Sequence, residues 1–377
     1  MRKIGSTKVE SIRSNRFDYD SHMTAEPATP VTRATLSDVA RAAGVSASTA
    51  SLAFSGTGPV AEATRQRVID AAARLGYAGP DPRARSLRRG RSGVVAVVME
   101  DSIADAFRDP VNIALLDGIA DSLGVSGDGL LLLTDQGDGT TSLATAPMDG
   151  VILVGCSTRL DESVAVLRRR GVPVVAIEAD GLEGAVLISL DNRDASRRAA
   201  EYVRDLGHER VAMVTLPLDD DRTRGPLTPE REAAATGYTS SGRIAGVRDV
   251  YPDAGGISTA GSYREEGRIA GLALLDRPAA ERPTAIIAQS DMLAAGVLRA
   301  ALDLGLSVPE DLSIVGFDGV RVEGIAPHVL TTLAQPAVEK GRAAGSALIE
   351  AIEGGAPDAV AFTSELRIGT TTGPAPR

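Results

Sequence analysis

Residue types that often mark a function are scarce in this sequence of 377 residues: it has one cysteine, three histidines, no tryptophan and only 3% aromatic residues. The single cysteine, Cys156, excludes a disulfide within the chain and is typical of a reducing compartment. The histidines, His22, His208 and His328, do not have the spacing of a metal site. The sequence therefore predicts neither a disulfide-stabilised fold nor a bound metal.

Long apolar runs are also absent. No stretch approaches the roughly 20 apolar residues of a membrane-spanning helix, and the N-terminus lacks the basic-then-apolar pattern of an export signal. The sequence contains no phosphate loop followed by lysine and no nucleophile elbow. We therefore expect a cytoplasmic protein that contacts no membrane, needs no cofactor and is not an enzyme.

Charge is distributed unevenly along the chain. The net charge of −10 would disfavour a nucleic-acid partner, yet residues 24–92 contain ten arginines against five acidic residues. The acidic excess therefore lies in residues 93–377. Because the field of exposed charges is screened within about one Debye length, this distribution directs phosphate contacts to the basic end of the chain.

Composition and hydrophobic patterning divide the chain into four parts. Residues 1–33 are polar and unpatterned and are predicted to be disordered. Residues 34–79 contain three short helical patterns, and residues 80–92 form a linker bounded by prolines and glycines. Residues 93–377 alternate strand and helix patterns in two series, which predicts two α/β lobes with parallel sheets. The predicted architecture is an all-α N-terminal module followed by a two-lobed α/β domain.

The first two helical patterns have the spacing of a helix-turn-helix. Thr35 is a plausible N-cap of the first helix, and Gly44 supplies the left-handed turn that ends it. Ser46 is placed to cap a second helix that runs from Ala47 to about Phe54.

A third helix is predicted from about Glu62 to Leu75. Its apolar positions are expected to form the buried face, which consists of Val68, Ile69, Ala72 and Leu75. Taken alone, three short helices of this kind are equally compatible with a plain helical bundle.

Several motifs together are more specific. In the N-terminal part they are Thr35-Leu-x-Asp-Val-Ala-x-x-Ala-Gly-Val-Ser, Thr49-x-Ser51, Thr64-Arg-x-Arg-Val, Leu75-Gly-Tyr77 and Arg83-Ala-x-Ser-Leu87. This stretch resembles the DNA-binding headpiece of the LacI-type (lactose-repressor/galactose-repressor) transcription regulators. The rest of the chain is similar to their effector domain, which looks like a periplasmic sugar-binding protein. The matching pieces there include Gly171-x-Pro-Val-Val, Leu206-Gly-His-Glu-Arg-Val and Val308-Pro-Glu-Asp-Leu-Ser-Ile-Val-Gly-Phe-Asp318.

The resemblance implies that the second helix enters the major groove of double-stranded DNA. Ala47, Ser48 and Leu52 would then meet base edges, where Ala47 and Leu52 can offer only apolar contacts. Base readout is therefore expected to be weak, and DNA shape can contribute more. Thr49 and Ser51 are assigned to phosphates, and the predicted DNA-binding set also includes Thr35 and Ser46.

The linker is predicted to contain a hinge helix. In the family, hinge helices from two subunits lie in the minor groove, and a leucine wedges between central base pairs. Leu87 is assigned that role here, and Ala84 shares its helix face. Arg83, Arg85 and Arg88 are assigned to phosphates or groove edges. Because nucleation of so short a helix is costly, we expect it to form only with DNA and a partner subunit.

The resemblance also implies an effector site between the lobes. Arg243, Asp291 and Asn192 are the first candidates for effector binding, because arginine donates to hydroxyls and aspartate accepts from them. Asp191 and Asp318 are weaker candidates, and Phe107 could stack on a ring. A sugar is the expected effector by analogy, while a nucleoside or another small metabolite remains open.

Two departures from the family pattern border this expected site. The chain between Leu133 and Gly150 is too short for the long helix usual at that place. The loop at Pro217–Glu232 is longer than usual, and we expect it to be mobile.

These observations predict a homodimeric regulator, most simply a repressor, that binds a palindromic operator. The chain ends without an apolar heptad segment, which favours a dimer over a tetramer. A solute-binding protein serving transport is one alternative, but it would need an export signal and no basic headpiece. An α/β enzyme with an added DNA-binding module is another, and it would need a catalytic constellation.

Overall fold

The computed structural model of this chain describes residues 34–56, 58–79, 90–99, 103–134, 143, 145–155, 160–179, 182–219 and 221–376. The described residues belong to two compact units, which divide between residues 85 and 86. The predicted disorder of residues 1–33 and the predicted hinge helix, with Arg83, Ala84, Arg85, Leu87 and Arg88, lie outside the described residues. No helix of the described part is long and apolar enough to cross a membrane.

The N-terminal unit consists of three helices, α1 (Leu36–Ala43), α2 (Ala47–Ser55) and α3 (Glu62–Leu75). A capping box begins α1: the Thr35 hydroxyl accepts from the Asp38 amide, and the Asp38 carboxylate accepts from the Thr35 amide at 3.0 Å. Gly44 ends α1 at a φ of 66°, a left-handed conformation that glycine adopts without steric cost. The predicted cap of α2 is confirmed, because the Thr49 amide donates to Ser46 Oγ at 3.1 Å.

The core of this unit differs from the prediction at α3. Val68 and Ala72 are buried, together with Ala71, but Ile69 and Leu75 are 43% and 41% exposed. The prediction was therefore wrong for Ile69 and Leu75. Ile69 lies about 100° around the helix from Val68, and Leu75 is the last residue of α3.

The second unit contains two sheets. Their strands are β1 Val94–Met99, β2 Gly129–Thr134, β3 Gly150–Val154, β4 Val174–Ile177, β5 Val186–Leu190, β6 Val211–Thr215, β7 Gly225–Pro226, β8 Gly256–Ser258, β9 Ala285–Ala288, β10 Ser313–Asp318, β11 Thr331–Ala334, β12 Val360–Phe362 and β13 Glu365–Arg367. The first sheet is entirely parallel, in the order β12-β5-β4-β3-β1-β2. The second has the order β13-β11-β10-β9-β6-β8-β7, with parallel pairing inside and antiparallel pairing at both edges.

Helices cover both sheets, as the alternating pattern predicts. Around the first sheet lie α4 (Ile103–Ala106), α5 (Pro110–Ser126), α6 (Leu160–Arg169) and, from further along the chain, Ala337–Ile352. Around the second lie α7 (Asn192–Asp205), α8 (Pro229–Ala233), α9 (Tyr238–Arg248), α10 (Arg264–Leu275) and α11 (Asp291–Asp303). The helix Ala337–Ile352, which lies against the first sheet, is called α12. Each sheet with its helices has its own apolar core and forms one lobe.

The described chain crosses between the lobes in three places. The crossings follow β5, β11 and β12, near Asp191, Gln335 and Ser364. The second crossing returns the chain to the first lobe, where α12 packs closely on α5. A Cβ added at Gly118 of α5 would lie 2.0 Å from the carbonyl oxygen of Val338. This close approach of two backbones requires glycine.

Candidate functional site

The DNA-facing candidates lie at the start of α2 and along one side of it. Ala47, Ser48 and Leu52 are exposed, as a base-reading role requires, whereas Thr49 and Ser51 are half-buried. The Ser46 hydroxyl lies 2.8 Å from both Ser48 Oγ and Thr49 Oγ1. These hydroxyls are therefore held together at the N-terminal end of α2, where free backbone amides also point outward.

A cleft lies between the two lobes of the second unit. Its lining residues follow the carboxyl ends of parallel strands from both sheets, which is where open α/β sheets bind ligands. From the first lobe they include Gly155 after β3 and Glu178 after β4, and from the second Leu216 after β6 and Ser290 after β9. Asp109 and Asn112, at the start of α5, face the same space.

The Glu178 carboxylate is the centre of the buried polar contacts in the cleft. It accepts hydrogen bonds from Asn192 Nδ2 at 2.7 Å, from Thr239 Oγ1 at 3.2 Å and from Lys340 Nζ. Burial opposes ionisation of Glu178, but the charges of Lys340 and Arg243 and the bond from Asn192 outweigh it and lower the pKa to about 2. Glu178 is therefore a buried anion that joins groups from both lobes.

Arg243 lies at the inner end of the cleft with its guanidinium almost fully buried. Its Nε donates to Asn192 Oδ1 at 2.8 Å, and a second nitrogen donates to the carbonyl of Gln289. The guanidinium stacks 3.5 Å from the centre of the Phe317 ring and lies 3.9 Å from Asp318 Oδ1. Arginine and aspartate thus stand side by side, one able to donate and the other to accept from a ligand hydroxyl.

Two carboxyl groups beside Arg243 have raised pKa values. Burial raises the pKa of Asp291 to about 7. Burial also raises the pKa of Asp318, against the opposing charge of Arg243, and the nearby Asp291 and Asp109 raise it further. Gln335 Nε2 donates to Asp318 Oδ1 at 2.7 Å. The inner cleft therefore carries less negative charge at neutral pH than its number of carboxyl groups implies.

The structure separates the predicted effector residues into three groups. Arg243 and Asp318 line the cleft. Asn192 and Asp291 lie behind the lining: Asn192 holds Glu178 and Arg243, and Asp291 is fully buried. Phe107 is 59% exposed and is not among the lining residues.

Asp191 also lies away from the lining. Its Oδ1 accepts from the amide and the hydroxyl of Ser364 at 2.8 and 3.0 Å, and its Oδ2 accepts from Arg198. It therefore joins the first and third crossings between the lobes.

Several lining residues were missed by sequence reasoning. They are Asp109, Asn112, Glu178, Asp219, Arg222, Thr239, Ser290 and Gln335. One signal was available for Glu178, which directly follows the buried strand Val174–Ile177. Asp318 has the corresponding position at the end of a buried strand, so this position in the sequence could have identified Glu178 as a candidate. Among the described residues no group of three or more His, Cys, Asp or Glu could hold a metal ion.

The two units match two family models. Residues 35–79 match the model described as bacterial regulatory proteins, lacI family, and residues 200–372 match the periplasmic binding protein-like domain. The first match covers α1 to α3, and the second covers most of the second lobe together with the returning helix α12.

Three known proteins illustrate the likeness. An HTH-type transcriptional regulator of Mycolicibacterium smegmatis is 34% identical over 364 residues, which cover 92% of this chain and 98% of the relative. The transcriptional repressor CytR of Escherichia coli is 33% identical over 86% of this chain and 91% of the relative. The crystal structure of the Lac repressor dimer bound to operator and the anti-inducer ONPF has the same fold, with a TM-score of 0.69 at 22% identity, over 90% of this chain and 99% of that one.

These relatives are named as regulators, and the headpiece of this chain has the capped helices and the exposed α2 surface that a DNA-binding module needs. The chain is accordingly a transcriptional regulator and not an enzyme. With a 34% identical relative that covers nearly the whole of both chains, it belongs to the LacI family of transcriptional regulators.

Proposed function

We propose that this protein is a cytoplasmic, nucleoid-associated repressor that binds a palindromic operator as a homodimer and responds to a small effector, a sugar or a related metabolite. The observation that supports the effector most directly is the pairing of Arg243 with Asp318 at 3.9 Å, deep in a cleft between the lobes. Such a pair can bind a hydroxyl-rich molecule with charge-assisted hydrogen bonds.

The proposed control is a difference in effector affinity between two arrangements of the lobes. A ligand that contacts Glu178 and Asp109 from the first lobe and Arg243 from the second favours the arrangement in which both sets of groups reach it. The arrangement of the lobes would determine whether two subunits can bring their hinge helices together in the minor groove. Leu87 and the arginines around it are the residues proposed to make these contacts with DNA.

On DNA, Ala47, Ser48 and Leu52 would contact bases, while Thr35, Ser46, Thr49 and Ser51 would contact phosphates. Two such headpieces in a twofold dimer read two inverted half-sites. Because the base-facing side chains are small or apolar, a base-pair step at the centre of the operator that unstacks easily is expected to contribute to specificity.

The test on DNA is selection of bound sequences from a random pool with the purified protein. We expect an inverted repeat with a central pyrimidine–purine step. Leu87→Ala should then weaken binding to the selected operator while non-specific binding changes little. Equal loss of both would contradict the hinge role, and enrichment of no site at all would contradict operator binding by the protein alone.

The test of the cleft uses the selected operator. A compound that changes operator affinity for the wild type should have no effect on Arg243→Ala, whose operator binding without effector should be retained. Arg243→Met keeps most of the buried volume and separates loss of the guanidinium from loss of packing. Arg277→Ala, at an exposed arginine of the same lobe, is the control and should respond as the wild type does.

A further inference from the structure

Lysine is rare in this chain. Of its 40 lysine and arginine residues only three are lysines, and Lys3 and Lys8 belong to the N-terminal 33 residues. Lys340 is therefore the single lysine of residues 34–377. It is also among the largest fully buried side chains of the described residues. A chain that uses arginine at almost every basic position thus has its one remaining lysine at a site closed to solvent.

Lys340 joins two acceptors that face the cleft. Its Nζ donates to Glu178 Oε1 and, at 2.5 Å, to Gln335 Oε1. Both acceptors line the cleft, whereas Lys340 lies behind them in α12. An ammonium group donates in three directions from one compact atom, while the larger guanidinium group of arginine holds its donors in one plane. The enclosed position between two acceptors therefore suits lysine better than arginine.

The contacts of Lys340 complete a closed ring of side chains, which we call the six-residue ring. In order around the ring, its members are Lys340, Gln335, Asp318, Arg243, Asn192 and Glu178. Five of the six links are hydrogen bonds. The sixth, between Asp318 and Arg243, is an ion pair with a nitrogen–oxygen distance of 3.9 Å.

The six-residue ring passes from one lobe to the other. Glu178 and Lys340 belong to the first lobe, Gln335 to the second crossing, and the other three members to the second lobe. Because hydrogen bonds weaken steeply when their atoms separate or turn, the ring can close in only one arrangement of the lobes. All members except Lys340 and Asn192 line the cleft, so a ligand that bonds there contacts the ring itself.

Stability alone does not account for the ring. Removing an ammonium group and a carboxylate from water is costly, and a buried ion pair is often no more stabilising than apolar side chains of the same volume. Glu178 and Asp318 also have φ of 58° and 113°, which are costly backbone conformations for residues other than glycine. Buried polar contacts of this kind can instead specify one arrangement of a protein over others.

We propose that Lys340 is a positioning residue of the cleft, which closes the six-residue ring and thereby holds the two lobes in one arrangement. The inference rests on the proposed control by lobe arrangement and names the residue that sets it. Because the ring consists of protein side chains alone, it holds this arrangement without a ligand. An effector that bonds to Glu178, Gln335 or Asp318 must share or replace bonds of the ring, so its binding acts directly on the contacts between the lobes.

The experiment measures the distance between the lobes in the full chain, without added ligand, by double electron–electron resonance. Spin labels are attached to cysteines introduced at the exposed Ala165 of α6 and the exposed Glu281 of the second lobe, in protein whose Cys156 is replaced by serine. An excess of unlabelled chains ensures that only pairs within one chain contribute. The wild type should have a single distance. Lys340→Met/Glu178→Gln removes both charges at nearly constant volume and should add a second distance that the wild type lacks.

A second variant opens the ring without removing a buried charge. Gln335→Met leaves the pair of Lys340 and Glu178 intact and should add the same second distance at a lower share. It decides the question if the double variant does not fold, which the melting temperatures show. Arg342→Met/Asp121→Asn removes an exposed ion pair from α12 and is the matched control, with the wild-type distance expected. An unchanged single distance in the ring variants, or the same second distance in the control, would overturn the role of Lys340.

Operator affinity is measured separately, by fluorescence anisotropy with the selected operator. We expect the ring variants to change it by about tenfold or more, in the direction set by which arrangement binds DNA. A second distance with unchanged operator affinity would contradict the proposed control and keep the role of Lys340. Selection of no operator would contradict the proposed operator binding, while the distances would still decide whether the ring holds the lobes.

Discussion

The side chains of Glu178 and Asn192 are joined by a hydrogen bond of 2.7 Å between Asn192 Nδ2 and Glu178 Oε2, although the two residues belong to different lobes. Glu178 directly follows β4 of the first lobe, and Asn192 begins α7 of the second. The other oxygen of the carboxylate accepts from Lys340 of α12, which follows the second crossing. A change in the arrangement of the lobes must therefore either break these contacts or move Glu178, Asn192 and Lys340 together. The arrangement of the lobes is in this way coupled to the charge in the cleft.

Removing the cation from this group should be costly. Lys340 is fully buried, so Lys340→Met leaves the Glu178 anion without its ion-pair partner and should lower the free energy of unfolding by about 3–5 kcal/mol. Arg342→Met, two residues along the same helix, breaks an exposed pair with Asp121 and should cost less than about 1 kcal/mol. Urea denaturation measures both. The double variant Lys340→Met/Glu178→Gln should recover part of the loss, and no recovery would contradict the ion-pair assignment.

Acid stability should depend on Glu178. Its pKa is lowered from 4.5 to about 2 in the folded protein, because Lys340, Arg243 and Asn192 together outweigh the effect of burial. A lowered pKa contributes stability above the unfolded value, and that contribution is lost as pH falls from about 4.5 towards 2. Glu178→Gln should therefore have a shallower loss of melting temperature between pH 6 and 3 than the wild type. Parallel curves for the two proteins would show that Glu178 does not titrate in this window.

Asp291 should have the opposite effect on the pH dependence of stability. Burial raises its pKa from 3.8 to about 7, so its stabilising contribution is complete below about pH 3.8 and is lost as pH rises through 7. Asp291→Asn removes this ionisation while keeping an oxygen that can accept from the Val320 amide, which lies 2.9 Å from Asp291 Oδ2. The melting temperature of the variant relative to the wild type should increase between pH 5 and pH 8. A difference that is constant across this range would refute the prediction.

Two glycines of α5 should respond in opposite ways to the same substitution. At Gly118 a Cβ would lie 2.0 Å from the Val338 carbonyl oxygen, whereas at Gly124 nothing lies within 4 Å. Gly118→Ala should force α5 away from α12 and destabilise the protein by about 1–3 kcal/mol or more. Gly124→Ala should stabilise it by up to about 1 kcal/mol, since alanine is the better helix former. Thermal unfolding compares the two, and similar effects would contradict the close helix contact.

Much of the headpiece could be predicted because its signals are local. Glu62–Leu75 was predicted with the bounds that the structure has, and the caps at Thr35, Ser46 and Gly44 have the predicted geometry. Burial within α3 could not be read from the pattern alone. The other two helices decide which of its apolar positions are covered, and they leave Ile69 and Leu75 exposed.

The lining of the cleft was predicted only in part. Arg243 and Asp318 were identified because they belong to motifs that resemble a known family, and the structure places both on the cleft. Glu178, Asp219 and Arg222 belong to no such motif and were missed. The loop Pro217–Glu232 was expected to be mobile. In the structure it contains β7 and the start of α8, and Arg224 of this loop forms an ion pair with Glu266.

The sequence by itself determined the three helices of the N-terminal unit, the alternation of strands and helices in two series and the family, because caps, turns and hydrophobic periodicity act over a few residues. Only the tertiary structure decided which polar groups meet in the cleft. Glu178 and Lys340 are 162 positions apart, and they come together because the chain crosses between the lobes and returns. Contacts of this kind are set by the path of the chain and by the packing of α12 on the first lobe, which no local pattern encodes.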